Sequence, residues 1–96
     1  MTIVWVVYDI VENSIRNKIA RICLDIGLYR IQKSVFIGNL DANERDSLAT
    51  MCEEIIDPIV DSVYIFPMDS ESFKKEIIGQ EFDMELVSDK LLTKFF

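Results

Sequence analysis

The chain has 96 residues, half of them apolar and a tenth aromatic, with a net charge of −7 and no histidine. That is the length of one domain and the composition of a folded one, and a chain this short buries only about 60–65% of its extended surface, so added burial through self-association is expected. Without histidine the commonest general base and transition-metal ligand are excluded, leaving carboxylates, hydroxyls, amines or a hard cation held by oxygen.

Residues 2–9 (TIVWVVYD) form a β-branched and aromatic run that ends on a charge. Ile3, Trp5 and Val7 alternate with Val4, Val6 and Tyr8, so both faces are apolar and the strand belongs in the middle of a sheet. A polar loop follows, with Asn13 or Ser14 as the expected cap of a helix running to about Ile26. Ile15, Ile19, Ile22, Cys23 and Ile26 recur on one side of it, and Gly27 is placed to end it in the left-handed region.

Residues 28–40 (LYRIQKSVFIGNL) are too long for an average strand, and Lys33-Ser34 divides them into two β-rich halves that read as a hairpin. Asp41 and Glu44 have the spacing of a reciprocal capping box for a second helix. Leu48, Met51, Cys52, Ile55 and Ile56 form its expected buried stripe, and Pro58 stops it. Residues 61–67 (DSVYIFP) read as a fourth strand, again apolar on both faces.

The order β-α-β-β-α-β predicts an α+β fold of ferredoxin-like plan over residues 1–79, with both helices on one face of an antiparallel sheet. The other face is left apolar, and a second copy packed sheet to sheet is the simplest cover, so a homodimer is expected. Residues 73–78 read as an additional C-terminal strand extending a sheet edge, and residues 80–96 as an acidic extension ending in Leu and Phe. Cys23 and Cys52 fall on the apolar sides of the two helices and read as core residues. No positively charged leader precedes an apolar segment and no apolar run reaches membrane-spanning length, which points to a cytoplasmic protein that does not enter the membrane.

Charge is split along the chain. Residues 1–40 carry five Lys/Arg against three Asp/Glu, whereas residues 41–96 carry five against fourteen. An acidic total argues against nucleic-acid binding, and the basic first part weakens that argument. Asp9, an ionised group at the exit of an apolar strand, reads either as a loop cap or as a metal ligand. One carboxylate is a poor Mg²⁺ site, but two related by a dimer axis make a plausible one. Arg16, Arg30 and Lys33 are candidate phosphate contacts or ordinary surface cations, and Ser34 a phosphate donor or plain turn residue. Tyr8 and Phe36 are either base-stacking rings or core. Lys18 and Arg21 read as solvated, as does the acidic face of the second helix.

Four segments together resemble a known family: VVYDI at 6–10, RNK at 16–18, GLYRIQKSVFIG at 27–38 and DSVYIFP at 61–67. In this order they are similar to the CRISPR-associated protein 2 family, over about four-fifths of the chain. The resemblance implies a ferredoxin-like homodimer in which Asp9 of each protomer faces a shared divalent ion, Mg²⁺ or Mn²⁺. It places Tyr8, Arg16, Arg30, Ser34 and Phe36 in the active cleft, in contact with nucleic acid. It also implies an endonuclease acting on single-stranded RNA or double-stranded DNA, and a place beside the CRISPR integrase subunit in spacer acquisition. The alternatives are a non-catalytic scaffold of that integration complex, or a toxin-like mRNA interferase sharing the fold.

Overall fold

A computed structural model describes residues 2–68. The expected strand at 73–78 and the extension at 80–96 lie outside the described residues. The elements run β1 (Thr2–Asp9), α1 (Asn13–Asp25), β2 (Tyr29–Gln32), β3 (Val35–Leu40), α2 (Ala42–Ile55) and β4 (Ser62–Met68). They form a four-stranded antiparallel sheet in the order β2-β3-β1-β4, which puts the doubly apolar β1 inside the sheet, as expected. No helix among the described residues is long and apolar enough to cross a membrane.

The register assigns the faces. Val4, Val6 and Tyr8 of β1 stand opposite Gly38 and Phe36 of β3 and Ile65 and Val63 of β4. These side chains meet Ile19, Ala20 and Cys23 of α1 and Leu48 and Cys52 of α2 in the main core. Each fully buried Val, Ile or Leu there contributes about 1.5–3 kcal/mol of transfer free energy. The odd-numbered residues of β1 face away from the helices. Ile3 and Ile37 are fully buried in a second cluster with Ile31, against which Trp5, Tyr29, Val35 and Met68 pack. Trp5 donates its indole N–H to the Met68 sulfur at 2.7 Å. Farther along the same face Tyr64 and Phe66 stack on each other, with ring centroids 5.9 Å apart, and each is about half exposed.

Local chemistry explains most element ends. Gly27 takes φ +100°, the left-handed residue that stops α1. The capping box of α2 is complete: Glu44 N–H donates to Asp41 Oδ1 at 2.8 Å and Asp41 N–H to Glu44 Oε1 at 3.0 Å. Gly38 lets β2 approach, since a Cβ there would lie 3.1 Å from Leu28 Cα and drive into the Leu28 side chain.

α1 ends as expected, with Asp25 its last residue and Ile26 the C-cap. Three details differ from the sequence expectation. The N-cap of α1 is Glu12 without a side-chain bond, because the Asn13 amide oxygen accepts from Arg16 instead of capping. Met51 is exposed, the rest of the α2 stripe holding, with Leu48 and Cys52 buried and Ile55 and Ile56 partly buried against the core. Asp61 stands outside β4, where its carboxylate joins two loops.

Candidate functional site

Three chain features converge at one end of the sheet: the exit of β1 at Asp9, the Lys33-Ser34 turn between β2 and β3, and the first turn of α1. Antiparallel pairing brings them there, because Tyr8 N–H donates to the Ser34 carbonyl at 3.1 Å. On the helix side this end opens into a cleft of 160 Å³ lined by Tyr8, Arg16, Arg30, Lys33 and Ser34, with Asn13 and Asn17. The phosphate-contact candidates are therefore gathered in one place, with the exception of Phe36, which does not line the cleft.

The Lys33 carbonyl is the hub of the cleft. It accepts from Tyr8 Oη at 3.1 Å, Arg30 Nε at 3.1 Å and the same guanidinium's terminal nitrogen at 2.6 Å. The Arg30 guanidinium also lies over the Phe36 ring, 5.4 Å from its centroid, and Tyr8 stacks beside that ring at 6.1 Å. Arg16 donates to the Ile10 carbonyl at 3.2 Å and to the Asn13 amide oxygen, tying the loop after β1 to the helix. Each guanidinium has five N–H donors, so both arginines can brace a loop and still present hydrogens to an anion.

The two rings have a different place from the base-stacking expectation. Phe36 is fully buried and Tyr8 3% exposed, so the core reading describes them. Burial raises the Tyr8 phenol above its ordinary 10.0, partly offset by Arg30 and, less, by Arg16, which keeps it a neutral donor to Lys33. Lys18 and Arg21 are exposed as read, Arg21 pairing with Asp25 at 3.3 Å on the surface.

Asp9 is exposed and continues the helix-free face, in register with Ser62 of β4. By strand alternation its side chain leaves the sheet opposite to Tyr8 and the cationic cleft. Its carboxylate has no hydrogen-bond or ion-pair partner among the described residues. It shares its face with Trp5, Val7, Tyr64 and Phe66, the partly exposed apolar surface.

The donor set bears directly on a divalent ion. Among the described residues no three acidic or thiol side chains come together. The nearest acid along the β1–β4 junction, Asp61, has both oxygens occupied by backbone N–H groups. The thiols are no substitute, since burial raises Cys23 to about 12 and Cys52 to about 11 from an ordinary 9.0. Along this junction the described residues thus offer one uncommitted carboxylate, Asp9, which fits a hydrated magnesium ion only if a second copy brings another.

Sequence reasoning missed Asp61 and the Lys33 carbonyl. A charged residue just ahead of an apolar strand was the available signal for Asp61. A main-chain carbonyl carries no residue-type signal at all.

The chain matches the family model for CRISPR associated protein Cas2 over residues 1–76. It is 39% identical over 71 residues to a CRISPR-associated endoribonuclease Cas2 of Korarchaeum cryptofilum, covering 74% of this chain and 76% of that one. It is 34% identical over 79 residues to a CRISPR-associated endoribonuclease of Chloroflexus aurantiacus, covering 81% of this chain and 93% of the relative. Among solved structures, Cas2 of Streptococcus pyogenes superposes with a TM-score of 0.70 at 25% identity, covering 80% of this chain and 99% of that one. A hypothetical protein from Thermus thermophilus gives 0.72 at 28%, covering 81% and 90%.

Proposed function

The chain belongs to the CRISPR-associated protein Cas2 family, and from that premise we propose that it acts in CRISPR adaptation as a homodimeric, Mg²⁺-dependent endonuclease with one Asp9 from each protomer. The observation that carries this reading is the position of Asp9. It is an exposed carboxylate on the same sheet face as the half-exposed Tyr64 and Phe66. A second copy covering that apolar face brings a second Asp9 to the same interface, which supplies the further carboxylate that the described residues of one chain do not bring there.

A divalent ion held there would activate water near neutral pH and offset the charge that develops on a phosphodiester. The protein's own residues do the rest. Asp9 would hold the ion, the Arg16, Arg30 and Lys33 cleft grips phosphates at the same sheet end from the opposite face, and Ser34 donates to a phosphate oxygen. The substrate is single-stranded RNA or double-stranded DNA; relatives carry the name endoribonuclease.

Subunit mixing tests the pairing. Asp9→Asn should abolish Mg²⁺-dependent cleavage while leaving the dimer intact. After random reassociation of equal amounts of wild type and Asp9→Asn, about a quarter of dimers carry two aspartates. Activity near a quarter of the wild-type value supports a shared site, and activity near half means that each Asp9 works alone. Wild-type activity in pure Asp9→Asn defeats the nuclease reading.

A second reading, a non-catalytic scaffold beside the integrase subunit in the cytoplasm, is favoured by the internal engagement of both arginines. On it, Asp9→Asn leaves spacer acquisition intact.

A further inference from the structure

Asp61 is 8% exposed and is the only charged side chain buried among the described residues. Its two carboxylate oxygens serve two different loops. Oδ1 accepts from Val11 N–H at 2.9 Å, just after β1, and Oδ2 accepts from Asp57 N–H at 3.0 Å, in the α2–β4 connection. That connection is itself closed into a tight loop, with Asp61 N–H donating to the Asp57 carbonyl at 2.8 Å and Asp57 Oδ1 accepting from Ile59 N–H at 3.0 Å. The following residue, Ser62, is the β4 partner of Asp9.

Asp9 is therefore held from two sides by one short segment. Ser62 pairs with it across the sheet, and Asp61 anchors the chain two residues beyond it. The Ile10 carbonyl is fixed in turn by Arg16. A buried carboxylate is expensive to desolvate and is retained here with both oxygens satisfied by main-chain donors, which makes the connection directional. We infer that Asp61 is a positioning residue that sets the direction in which the Asp9 carboxylate leaves the sheet, by fixing the backbone of residues 9–11. Its importance for cleavage rests on the proposed metal-dependent reading; its effect on Asp9 does not.

The geometry makes Asn a sharp probe. In Asp61→Asn one acceptor becomes an NH₂ facing a main-chain donor, so either the Val11 or the Asp57 bond is lost while size and shape are kept. Three measurements are made on the full chain. Backbone relaxation and amide exchange by NMR follow residues 9–11. Mn²⁺ binding without nucleic acid is read from the free-ion EPR signal. Steady-state cleavage separates kcat from KM.

Asp61→Asn should retain β1–β4 protection but mobilise residues 9–11 and speed Val11 exchange at least tenfold. It should weaken Mn²⁺ at least threefold and lower kcat, with KM for nucleic acid unchanged within twofold. Asp61→Glu should recover part of the order. If Asp61→Asn does not fold, the Val11 amide is replaced by an ester in a synthetic 1–22 segment ligated at the native Cys23. This removes the donor to Asp61 and also weakens the Ile10 carbonyl that accepts from Arg16, for which Arg16→Ala is the control; beyond that control it should reproduce the mobility at Asp9.

Residues 9–11 as ordered as in wild type, in Asp61→Asn whose Val11 amide exchanges fast or in the ester, overturn the inference. Mobile residues 9–11 in a wild-type protein that neither binds Mn²⁺ nor cleaves would sink the nuclease reading and the positioning assignment together. Ordered residues in such a wild type, mobilised by Asp61→Asn, would uphold positioning while the nuclease reading fails.

Discussion

The proposed dimer places a definite demand on Phe66. Its ring is about half exposed on the helix-free face, stacked on Tyr64 and in register with Trp5. A fully buried aromatic removes about 150–250 Å² from water, so about 100 Å² of Phe66 remains for a partner to cover. In a symmetric dimer truncation counts twice, giving about 200 Å² and an upper bound of about 5 kcal/mol at 25 cal/mol/Å². Association converts area to affinity inefficiently, so about half is a fair expectation. Phe66→Ala should then weaken the dimer about 30- to 150-fold, and Tyr64→Ala by a similar factor. Sedimentation equilibrium measures the constant, and the single tryptophan, Trp5, reports the same event by fluorescence. Leu24→Ala, which truncates an exposed residue of α1, serves as the control. If both Phe66→Ala and Tyr64→Ala dimerise within twofold of wild type, the helix-free face is not the interface and the paired Asp9 site loses its basis.

Other substitutions test the framework of the cleft and the core. Gly38→Ala forces a methyl to 3.1 Å from Leu28 Cα, where backbone must move; the expected cost is about 1–3 kcal/mol, seen as a melting temperature lowered by at least about 4 °C. Arg30→Lys cannot give two N–H bonds to the Lys33 carbonyl while lying over Phe36, so the urea midpoint should fall by the equivalent of about 1–2 kcal/mol and the 33–34 turn should exchange faster. The buried thiols set an alkaline limit. Because folding raises Cys23 to about 12 and Cys52 to about 11, their contribution is intact below pH 9.0 and is lost as pH rises through the folded values. Urea unfolding between pH 8 and 11 should show a falling stability whose slope is reduced in Cys23→Ala.

The order of elements was legible because each has a local cause. A continuous β-branched and aromatic run gave β1, the Asp41/Glu44 pair gave the start of α2, and Gly27 gave the end of α1. Even the dimer hypothesis came from a strand apolar on both faces. What was not legible depends on partners distant in sequence. Asn13 has a good capping side chain, yet Arg16 takes its oxygen, and nothing local decides between the two uses. Met51 continues a helical stripe but lines the open groove between α1 and α2, where it stays exposed. Asp61 read as the first residue of a strand, and only the approach of Val11, fifty residues away, makes it a buried acceptor. Within the candidate site, residue types identified the cations, but the Lys33 carbonyl that organises them could not be read from side chains.

The net charge of −7 argues less strongly against a nucleic-acid partner once the charges are placed. Arg16 lies near the start of α1, whereas Asp25 ends it and faces Asp41 and Glu44 across a separate groove. Nine residues of helix separate Arg16 from Asp25 by about 13 Å, more than the Debye length of about 10 Å at 0.1 M salt. The acidic groove and the cationic cleft are thus partly screened from each other, and the total averages two ends of opposite character. What the cleft can do alone is still modest, because three cations neutralise few phosphates and two of them also hold loops. A nucleic acid gripped there passes Asp9 only by turning around the end of the sheet, since the carboxylate leaves from the opposite face. In the proposed dimer both clefts flank the shared interface, so a strand crossing the sheet end meets one cleft, then the aspartate pair, then the other cleft. Lys33→Glu, which changes a cleft side chain with no tie to residues 9–11, should therefore weaken binding and flatten its salt dependence by about one unit of slope. It should leave the Mn²⁺ affinity of the aspartate pair unchanged, because the two functions occupy opposite faces of the sheet. Loss of Mn²⁺ binding in folded, dimeric Lys33→Glu would show instead that cation cleft and carboxylate pair form one continuous site.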